Sequence, residues 1–222
     1  MKKLLLIALL IVGCEETTAP EPEDCAGVAG GTAIEDIDGN CYVTVQIGEQ
    51  LWMAENLKVT KYNNGDSISY PSNDAFGLYN GETTLEGQYG VYDNDLSNSD
   101  IYGNLYNWSV VNDDRGVCLE GWHVPSDEEF KDLEIFLGMS ELDATSSGIN
   151  RGTNEGSQLA GNDLWNNGNL KNNSEFGTSS FSALPAGFRY RTFSGNAYGT
   201  MGNHGYFWSF SESSSHAWCR ML

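Results

Sequence analysis

The chain has 222 residues, of which 31 are acidic and only 11 are Lys or Arg, so its formal net charge is −20. A charge this negative argues against nucleic acid and anionic lipid as partners, because both are themselves negatively charged. The 6 tryptophans, 11 tyrosines, 9 phenylalanines and 26 glycines predict many turns and short strands held by aromatic packing, not long helices.

The first 13 residues read as an export signal. Two lysines precede nine apolar residues at positions 4–12. A membrane-spanning helix needs about 20 apolar residues, so this stretch fits the h-region of a secretory signal instead. Gly13 and Cys14 then resemble the lipobox of bacterial lipoproteins, in which cleavage precedes the cysteine and its thiol is acylated. We expect residues 1–13 to be removed and Cys14 to be lipidated; the alternative is an ordinary signal peptide with a chance cysteine.

Residues 14–31 are expected to form an acidic tether that ends in a Cys/Gly-rich segment, DCAGVAGG. The stretch EETTAPEPED carries two prolines and no large apolar residue, so it cannot bury enough surface to fold. Acids directly after a lipidated cysteine resemble the surface-export signals of some Gram-negative lipoproteins. We therefore expect an exported protein whose N-terminal lipid anchors it in the outer membrane or at the cell surface.

Four further cysteines, Cys25, Cys41, Cys118 and Cys219, are candidates for disulfides. An oxidising compartment favours their pairing, and four cysteines allow three arrangements. The simplest is a local Cys25–Cys41 bridge with a long-range Cys118–Cys219 bridge. The sequence contains no C-x-x-C, so it indicates neither a zinc knuckle nor a thioredoxin-like redox site.

The body of the chain opens with hairpin signals. Asp38-Gly39 supplies a turn, and the alternating run YVTVQI that follows is rich in β-formers. The tripeptide GEQ then turns the chain into LWMAENL. Asn64-Gly65 is a second hairpin signal, because both residue types tolerate positive φ.

Asp36, Asp38 and Asn40 have the opening spacing of a calcium-binding loop. The rest of the EF-hand pattern is missing, because Gly39 comes too early and the twelfth position is Ile47 instead of glutamate. A plain turn is the favoured interpretation. We therefore expect no cofactor and no metal site, with calcium at this loop as the alternative.

An aromatic run, YGNLYNWSVV, follows a polar loop in the middle of the chain. We expect its large side chains to lie in the core, and a sugar-stacking role is the alternative. The side chains concerned are Tyr102, Leu105, Tyr106 and Trp108.

The stretch GWHVPSDEEFKDLEIFLG predicts a strand entering a capped helix. Ser126 and Glu129 form a capping box, in which the serine oxygen accepts from a backbone N–H and the glutamate reaches back to the cap. Acidic residues in the first turn suit the helix dipole, and Gly138 is typical of a helix end. The predicted apolar face consists of Phe130, Leu133, Phe136 and Leu137.

His123 precedes this helix, and the chain has only two other histidines, His204 and His216. A zinc site takes three or four ligands at short spacings, and no histidine here has another within three to five residues. The serine-hydrolase elbow G-x-S-x-G is also absent from the sequence. We therefore expect a hydrogen-bonded, partly buried structural histidine, with no metal ligand and no catalytic residue.

The last third of the chain alternates Gly-rich turns with short aromatic segments, FSALPAGFRY, GYFWSFSE and AWCRML. These segments predict successive strands of an antiparallel sheet. Arg189 and Arg220 stand out in so acidic a chain. We expect each to pair with a buried carboxylate; binding of a substrate is the alternative.

Five blocks in this order resemble the Fibrobacter succinogenes major paralogous domain, over about Thr32 to Leu222. They are DIDGNCYVTVQIGEQLWMAENL, YGNLYNWSVV, GWHVPSDEEF, FSALPAGFRY and GYFWSFSESSSHAWCR. That resemblance implies an exported bacterial protein, often a lipoprotein, and no particular activity. It also implies a last strand that ends near a further cysteine. We expect this chain to lack that strand, so that Cys219 substitutes as the partner of Cys118 or Cys118 stays free.

The block GWHVPSDEEF is more distantly similar to the C-type lectin-like and formylglycine-generating-enzyme-like folds. This similarity implies an α+β domain with small twisted antiparallel sheets, one or two helices and long Gly/Asn/Ser-rich loops. The calcium-dependent sugar motifs of C-type lectins are absent, since Trp108-Ser109 and Trp208-Ser209 do not supply WND. The paired cysteines of the oxidase branch have no clear match either.

The sequence favours a non-catalytic binding module at the cell surface, with a glycan or a surface protein as its partner. The alternatives are a structural or adhesion module of the envelope and a polysaccharide hydrolase. A glycosidase needs two carboxylates at a set distance, but no pair among the 31 acids stands out.

Overall fold

The computed structural model describes residues 20–70, 86–149, 151–161, 163–192, 195–213 and 216–222. The expected signal peptide, Cys14 and the first part of the tether lie outside the described residues. Within these ranges the domain is α+β, as expected. No helix of this part is long and apolar enough to cross a bilayer.

The described strands form five antiparallel two-stranded sheets. Pairs β1–β2 and β3–β4 lie near the start of the chain, β5–β6 in the middle, and β7–β8 and β9–β10 near the end. Their bounds are β1 Ile34–Glu35, β2 Cys41–Tyr42, β3 Thr44–Ile47, β4 Gln50–Met53, β5 Tyr89–Gly90, β6 Leu105–Tyr106, β7 Phe188–Thr192, β8 Gly195–Gly199, β9 Tyr206–Ser213 and β10 His216–Met221.

The expectation of one or two helices is wrong, because the described residues contain five α-helices and one 3-10 turn at Tyr92–Asn94. Four of the helices have six residues or fewer, too few for a helical period to show in the sequence. Asn107 and Ser140 cap two of the short helices. The bounds are α1 Ser97–Tyr102, α2 Trp108–Val111, α3 Asp127–Phe136, α4 Glu141–Thr145 and α5 Glu155–Leu159.

The three predicted turns are confirmed. Gly39 has φ 84° beside Asp38. The YVTVQI run contains β3, and the turn at GEQ pairs β3 with β4, so that Ile47 lies opposite Gln50. Gly65 has φ 90°, and an isolated antiparallel bridge joins Lys61 to Ser67 around it. Local turn chemistry therefore defines these features.

The last third differs from the predicted single sheet, because it forms two separate hairpins, β7–β8 and β9–β10. A turn at 201–203 separates them, and its Gly202 N–H donates to the Pro185 carbonyl at 2.9 Å. Beyond the turn, Gly187 N–H donates to the His204 carbonyl at 2.9 Å. These bonds tie the turn to the segment before β7, so β8 and β9 do not pair.

Helix α3 begins at the predicted capping box, with both of its reciprocal bonds present. Phe130 and Leu133 are buried and Leu137 packs against the same cluster, but Phe136 is 63% exposed. Phe136 lies over the β3–β4 turn instead, where a Cβ on Gly48 would come within 2.9 Å of its ring. The core cluster beneath α3 comprises Ile47, Phe130, Leu133, Leu159, Phe181 and Ala183.

A second core cluster lies under the middle of the chain, where Cys118, Tyr106, Leu57, Tyr89 and Val124 pack against its buried members. Of the predicted aromatic run, Tyr102, Leu105, Tyr106 and Trp108 are all half-buried. The fully enclosed members of this second cluster are Val59, Tyr62, Ile68, Val110 and Val117.

Four charged side chains, which we call the charge clamp, join α3 to β10 and to the loop before α5. Arg220 donates to Glu134 Oε1 at 2.8 Å and to Asp127 Oδ1 at 2.7 Å, which confirms its predicted pairing. Arg151 donates to the same Glu134 oxygen at 2.7 Å. Glu134 is only 5% exposed, so this network fastens the last strand to the helix from inside the domain.

Candidate functional site

A cleft of about 900 Å³ lies between the β3–β4 hairpin, the loop before α3, the segment 181–189 and strand β9. Its lining is mostly apolar, with a few polar side chains, as in typical small-molecule sites. These four segments are far apart in the sequence, and only the tertiary fold brings them together.

One wall of the cleft is a packed aromatic layer. The Trp52 ring lies 5.5 Å from Phe130 and 5.4 Å from Phe181, and Phe207 continues the layer at 6.2 Å from Phe181. The Trp52 indole N–H donates to Gln50. These rings belong to the core cluster beneath α3, so this wall is part of the folded core.

Other aromatic side chains in the cleft are less enclosed. Trp122 is half-buried, and among the described residues it takes part in no aromatic ring contact. Tyr206 is 37% exposed and packs edge-on against Phe188 at 5.2 Å. Trp208 is held by Trp108 at 5.7 Å and by the Tyr106 carbonyl. Tyr206 therefore presents an exposed ring to the cleft, and the half-buried ring of Trp122 is not covered by another described aromatic ring.

His123 and Glu129 form a pair at the rim, with His123 Nε2 2.8 Å from Glu129 Oε1. His123 is hydrogen-bonded as expected, but its side chain is 68% exposed, so the expected burial is wrong. The loop at Gly121, with φ 84°, turns it outward. Burial by itself would raise the pKa of Glu129, but hydrogen bonds from Ser126 and His123 outweigh it and lower that pKa.

The cysteines follow only half of the expected pairing. Cys25 and Cys41 form the local disulfide, whereas Cys118 and Cys219 are free thiols. Cys118 packs into the second core cluster and Cys219 lies exposed on β10, so the long-range bridge does not form. Both thiols line the cleft. Burial raises the pKa of Cys118 to about 11, which keeps it protonated and unsuited to nucleophilic attack at neutral pH.

The carboxylates of the possible calcium loop already have partners within the domain. Asp36 accepts from the Asp38 and Asn40 backbone and from the Tyr42 hydroxyl at 2.6 Å. Asp38 Oδ1 pairs with Lys61 at 2.8 Å. Across the described part of the chain, no three His, Cys, Asp or Glu side chains are grouped to hold a metal ion.

Arg189 also borders the cleft, and it is only 7% exposed. Its guanidinium lies over the Tyr198 ring, 5.4 Å from the centroid. Gly90 provides the necessary room, since a Cβ there would collide with the Arg189 Nη1 atom. Burial lowers the pKa of Arg189, and the guanidinium packs on an aromatic ring inside the domain.

Sequence reasoning did not find the cleft. It singled out His123 and Cys118, which lie at its edge, but not Trp122 or Tyr206 as binding residues. No local pattern marks them, because an aromatic side chain in a wall and one in a core have the same sequence signature. The GWHVP stretch identified the family and the helix. Trp122 within it is the residue whose ring is not packed against another described aromatic ring.

A comparison with protein families finds that the Fibrobacter succinogenes major domain matches residues 45–222. The match lies within the domain expected over residues 32–222. No curated protein matches the chain, and no solved structure does. The distant lectin-like similarity therefore stays a prediction. With the family match covering most of its length, the chain belongs to the Fibrobacter succinogenes major domain family.

Proposed function

We propose that this domain is a non-catalytic binding module whose cleft holds a neutral carbohydrate. We propose further that the protein is exported and anchored through a lipid on Cys14 in the outer membrane or at the cell surface. The single observation behind the carbohydrate assignment is that an apolar cleft of about 900 Å³ combines accessible aromatic rings with carboxylate and amide side chains.

The chemistry of a sugar matches this lining. The face of a pyranose ring carries C–H groups that pack on an aromatic face, and its edge carries hydroxyls that donate to carboxylates and amides. Trp122 and Tyr206 supply the rings, while Glu49, Glu55 and Asn56 supply oxygen acceptors along the same cleft. A few polar groups in an apolar pocket fix the orientation of a ligand.

The charge of the cleft favours a neutral ligand over an acidic one. Among the described lining residues, glutamates supply the negative charge, and Arg189 is the only Lys or Arg. Its guanidinium packs on Tyr198. A uronic acid or sulfated sugar would meet repulsion from the glutamates and from the chain's net charge of −20.

The same residues argue against hydrolysis. A glycosidase needs one carboxyl group with a raised pKa to act as general acid. The pKa of Glu129 is lowered instead, and its carboxylate is engaged by Ser126 and His123. Cys118, buried as a protonated thiol, is a poor nucleophile.

Isothermal titration calorimetry with neutral cello-, xylo- and manno-oligosaccharides tests the carbohydrate proposal. We expect Trp122→Ala and Tyr206→Ala each to weaken binding about tenfold, because each removes a stacking face. Tyr190→Ala is the matched control, since Tyr190 is 44% exposed on β7 but does not line the cleft. Failure of the wild-type domain to bind any neutral glycan, or equal affinity of the Trp122 variant, would refute the proposal.

The anchor is tested separately by expressing the full chain in a Gram-negative host that is fed an alkyne-labelled fatty acid. We expect the wild-type protein to incorporate the label and to fractionate with membranes. Cys14→Ser should lose both properties, and Cys219→Ser should retain them as the control for cysteine replacement. Unlabelled wild-type protein would contradict lipidation.

A further inference from the structure

A second, smaller cavity of about 210 Å³ adjoins the cleft. Four residues line both spaces, Glu55, Asn56, Ser182 and Leu184. The smaller cavity continues past this shared wall to Lys58 and to Asp100 of α1. The cleft is lined by aromatic rings, whereas the described lining of the smaller cavity includes Glu55, Lys58 and Asp100, so the two spaces differ in chemistry.

The shared wall is conformationally unusual at Ser182. This residue has φ 59°, in the left-handed region, where a non-glycine side chain is strained. Fourteen described glycines adopt positive φ, whereas only five described non-glycine residues do, and Ser182 is one of the five. Ser180, two residues earlier, has the same conformation at φ 60° but lines neither cavity.

The neighbouring contacts hold Ser182 in this conformation. A Cβ on Gly161 would come within 2.5 Å of the Ser182 Cα, so the backbones of the two segments pack directly against each other. Phe181 packs on Trp52 in the aromatic wall, and Leu184 is 8% exposed. Within the described ranges, the hydroxyl of Ser182 makes a single contact, at 3.3 Å with the Ser180 carbonyl, a long bond for a hydroxyl donor.

We propose that the ligand is a linear neutral oligosaccharide that spans both cavities, with Ser182 as the positioning residue between them. This inference rests on the proposed carbohydrate function and adds the form of the ligand. One sugar unit stacks in the aromatic cleft. The next unit crosses the wall, where Ser182 and Asn56 bind its hydroxyls, and a further unit reaches Lys58 and Asp100.

A chain of sugars fits this arrangement better than a peptide does. An extended peptide gains its affinity by adding to the backbone edge of a strand. The shared wall offers side-chain hydroxyl, amide and carboxylate groups instead, because Glu55, Asn56 and Ser182 all lie outside the strands. Hydroxyl groups, present on every sugar unit, suit such a surface.

The test measures affinity for one glycan type as a series of increasing length, from the monosaccharide to the hexasaccharide, by calorimetry on the whole domain. For the wild type we expect affinity to rise as the chain becomes long enough to reach the second cavity, and then to level off. Asp100→Ala should abolish this rise without changing the affinity for the shortest ligand that binds, because Asp100 lines only the smaller cavity.

Replacement of the two serines separates strain from binding. Ser182→Gly relieves the backbone strain and removes the hydroxyl, so we expect no fall in melting temperature but a loss of at least fivefold in affinity for the longer ligands. Ser180→Gly relieves the same strain away from the cavities and should leave affinity unchanged. Ser182→Ala, which keeps the strain and removes only the hydroxyl, should show the same loss of affinity.

The possible failures are distinguishable. Affinity that is independent of chain length, while Trp122→Ala still weakens binding, would overturn the two-cavity inference and leave the carbohydrate function standing. Equal affinity of Ser182→Ala and wild type for long ligands would overturn the role of Ser182. Binding of an extended peptide but of no glycan would overturn the inference together with the proposed function.

Discussion

The two sides of helix α3 use carboxylates in opposite ways. On one side Glu134 and Asp127 lie in the charge clamp, bonded to Arg151 and Arg220 at 2.7–2.8 Å. On the other side Glu129 lies at the rim of the cleft beside the exposed His123. The same helix thus carries one buried, paired set of charges and one set that faces solvent.

The difference shows which polar groups hold the fold and which are available to a ligand. A buried charge must be paired, because leaving it unpaired costs several kcal/mol. The clamp meets this requirement internally, because Arg151 and Arg220 both donate to Glu134 and Arg220 also donates to Asp127. Outside its aromatic wall, the cleft carries half-buried or exposed side chains such as Trp122, His123 and Tyr206. These side chains contribute less to stability than the clamp and remain available to a ligand.

The largest effect should come from breaking the charge clamp. Glu134→Gln keeps the size of the side chain but leaves Arg151 and Arg220 facing a neutral amide. We expect a loss of about 4 kcal/mol in the free energy of unfolding, measured by urea denaturation. Glu128→Gln on the same helix removes only an exposed pair with Lys131 and should cost less than about 1 kcal/mol. Similar losses of unfolding free energy in both variants would contradict the difference between the buried clamp and the exposed ion pair.

The two tryptophans of the cleft should separate fold from binding. Trp52→Ala removes a ring packed on Phe130 and Phe181, and we expect a loss of about 3 kcal/mol in unfolding free energy. Trp122→Ala removes a ring without such contacts and should change stability by less than about 1 kcal/mol. Thermal and urea unfolding of the two variants compares them directly. A larger loss for Trp122 would place its ring in the core.

The N-cap of α3 contributes both to the stability of the helix and to the position of the His123–Glu129 pair. The Ser126 hydroxyl accepts from the Glu129 N–H at 3.2 Å and donates to the Glu129 carboxylate at 2.8 Å. We expect Ser126→Ala to cost about 1 kcal/mol in unfolding free energy and also to loosen the His123–Glu129 pair, seen as a shift of the His123 ring signals in NMR spectra. Ser140→Ala, which removes the cap of α4, should leave those signals in place.

The smallest effect is the pH dependence of the clamp. Burial by itself would raise the pKa of Asp127, but hydrogen bonds and charge from Lys131 and Arg220 outweigh it and lower that pKa. A lowered folded-state pKa gives stability that is present above about pH 4, the unfolded value, and is lost as the pH falls through the folded value. Urea midpoints of wild type and Asp127→Asn should therefore differ at pH 7 and converge towards pH 3.

Asp132→Asn is the control for this pH experiment, because Asp132 is exposed on the same helix. Its stability curve should run parallel to that of the wild type across the whole pH range. A constant gap between wild type and Asp127→Asn down to pH 3 would show that the ionised form of Asp127 contributes nothing.

The features that were predictable depend on residues close together in the chain. The capping box of Ser126 and Glu129 spans four positions, and the turn signals Asp38-Gly39 and Asn64-Gly65 span two, so hydrogen bonding within a few residues determines them. The Cys25–Cys41 disulfide closes a separation of only 16 residues. The short helices escaped prediction because a few residues contain too little of a period to read.

The features that were not predicted depend on which face of a helix, strand or loop packs against the rest of the domain. Phe136 and Phe130 carry the same apolar signal, yet only Phe130 faces the core. His123 was expected to be partly buried, and its side chain is 68% exposed. A Cys118–Cys219 bridge belonged to one of the three possible disulfide arrangements. In the structure Cys118 packs in the second core cluster and Cys219 lies on β10, so both thiols are free. Sequence patterns specify that a residue is apolar, but not which surface will cover it.

The sequence by itself determined the family, the α+β class, helix α3 and the early hairpins, because each follows from ordered blocks or from short-range bonding. It favoured the local disulfide among three possible arrangements, and the structure contains that disulfide. The export signal and the lipid on Cys14 stay predictions. Only the tertiary structure decided the charge clamp, in which Arg220 and Asp127 meet across 93 positions. It also decided the cleft and its shared wall at Ser182. Such contacts arise when distant segments pack together, and no local pattern encodes that packing.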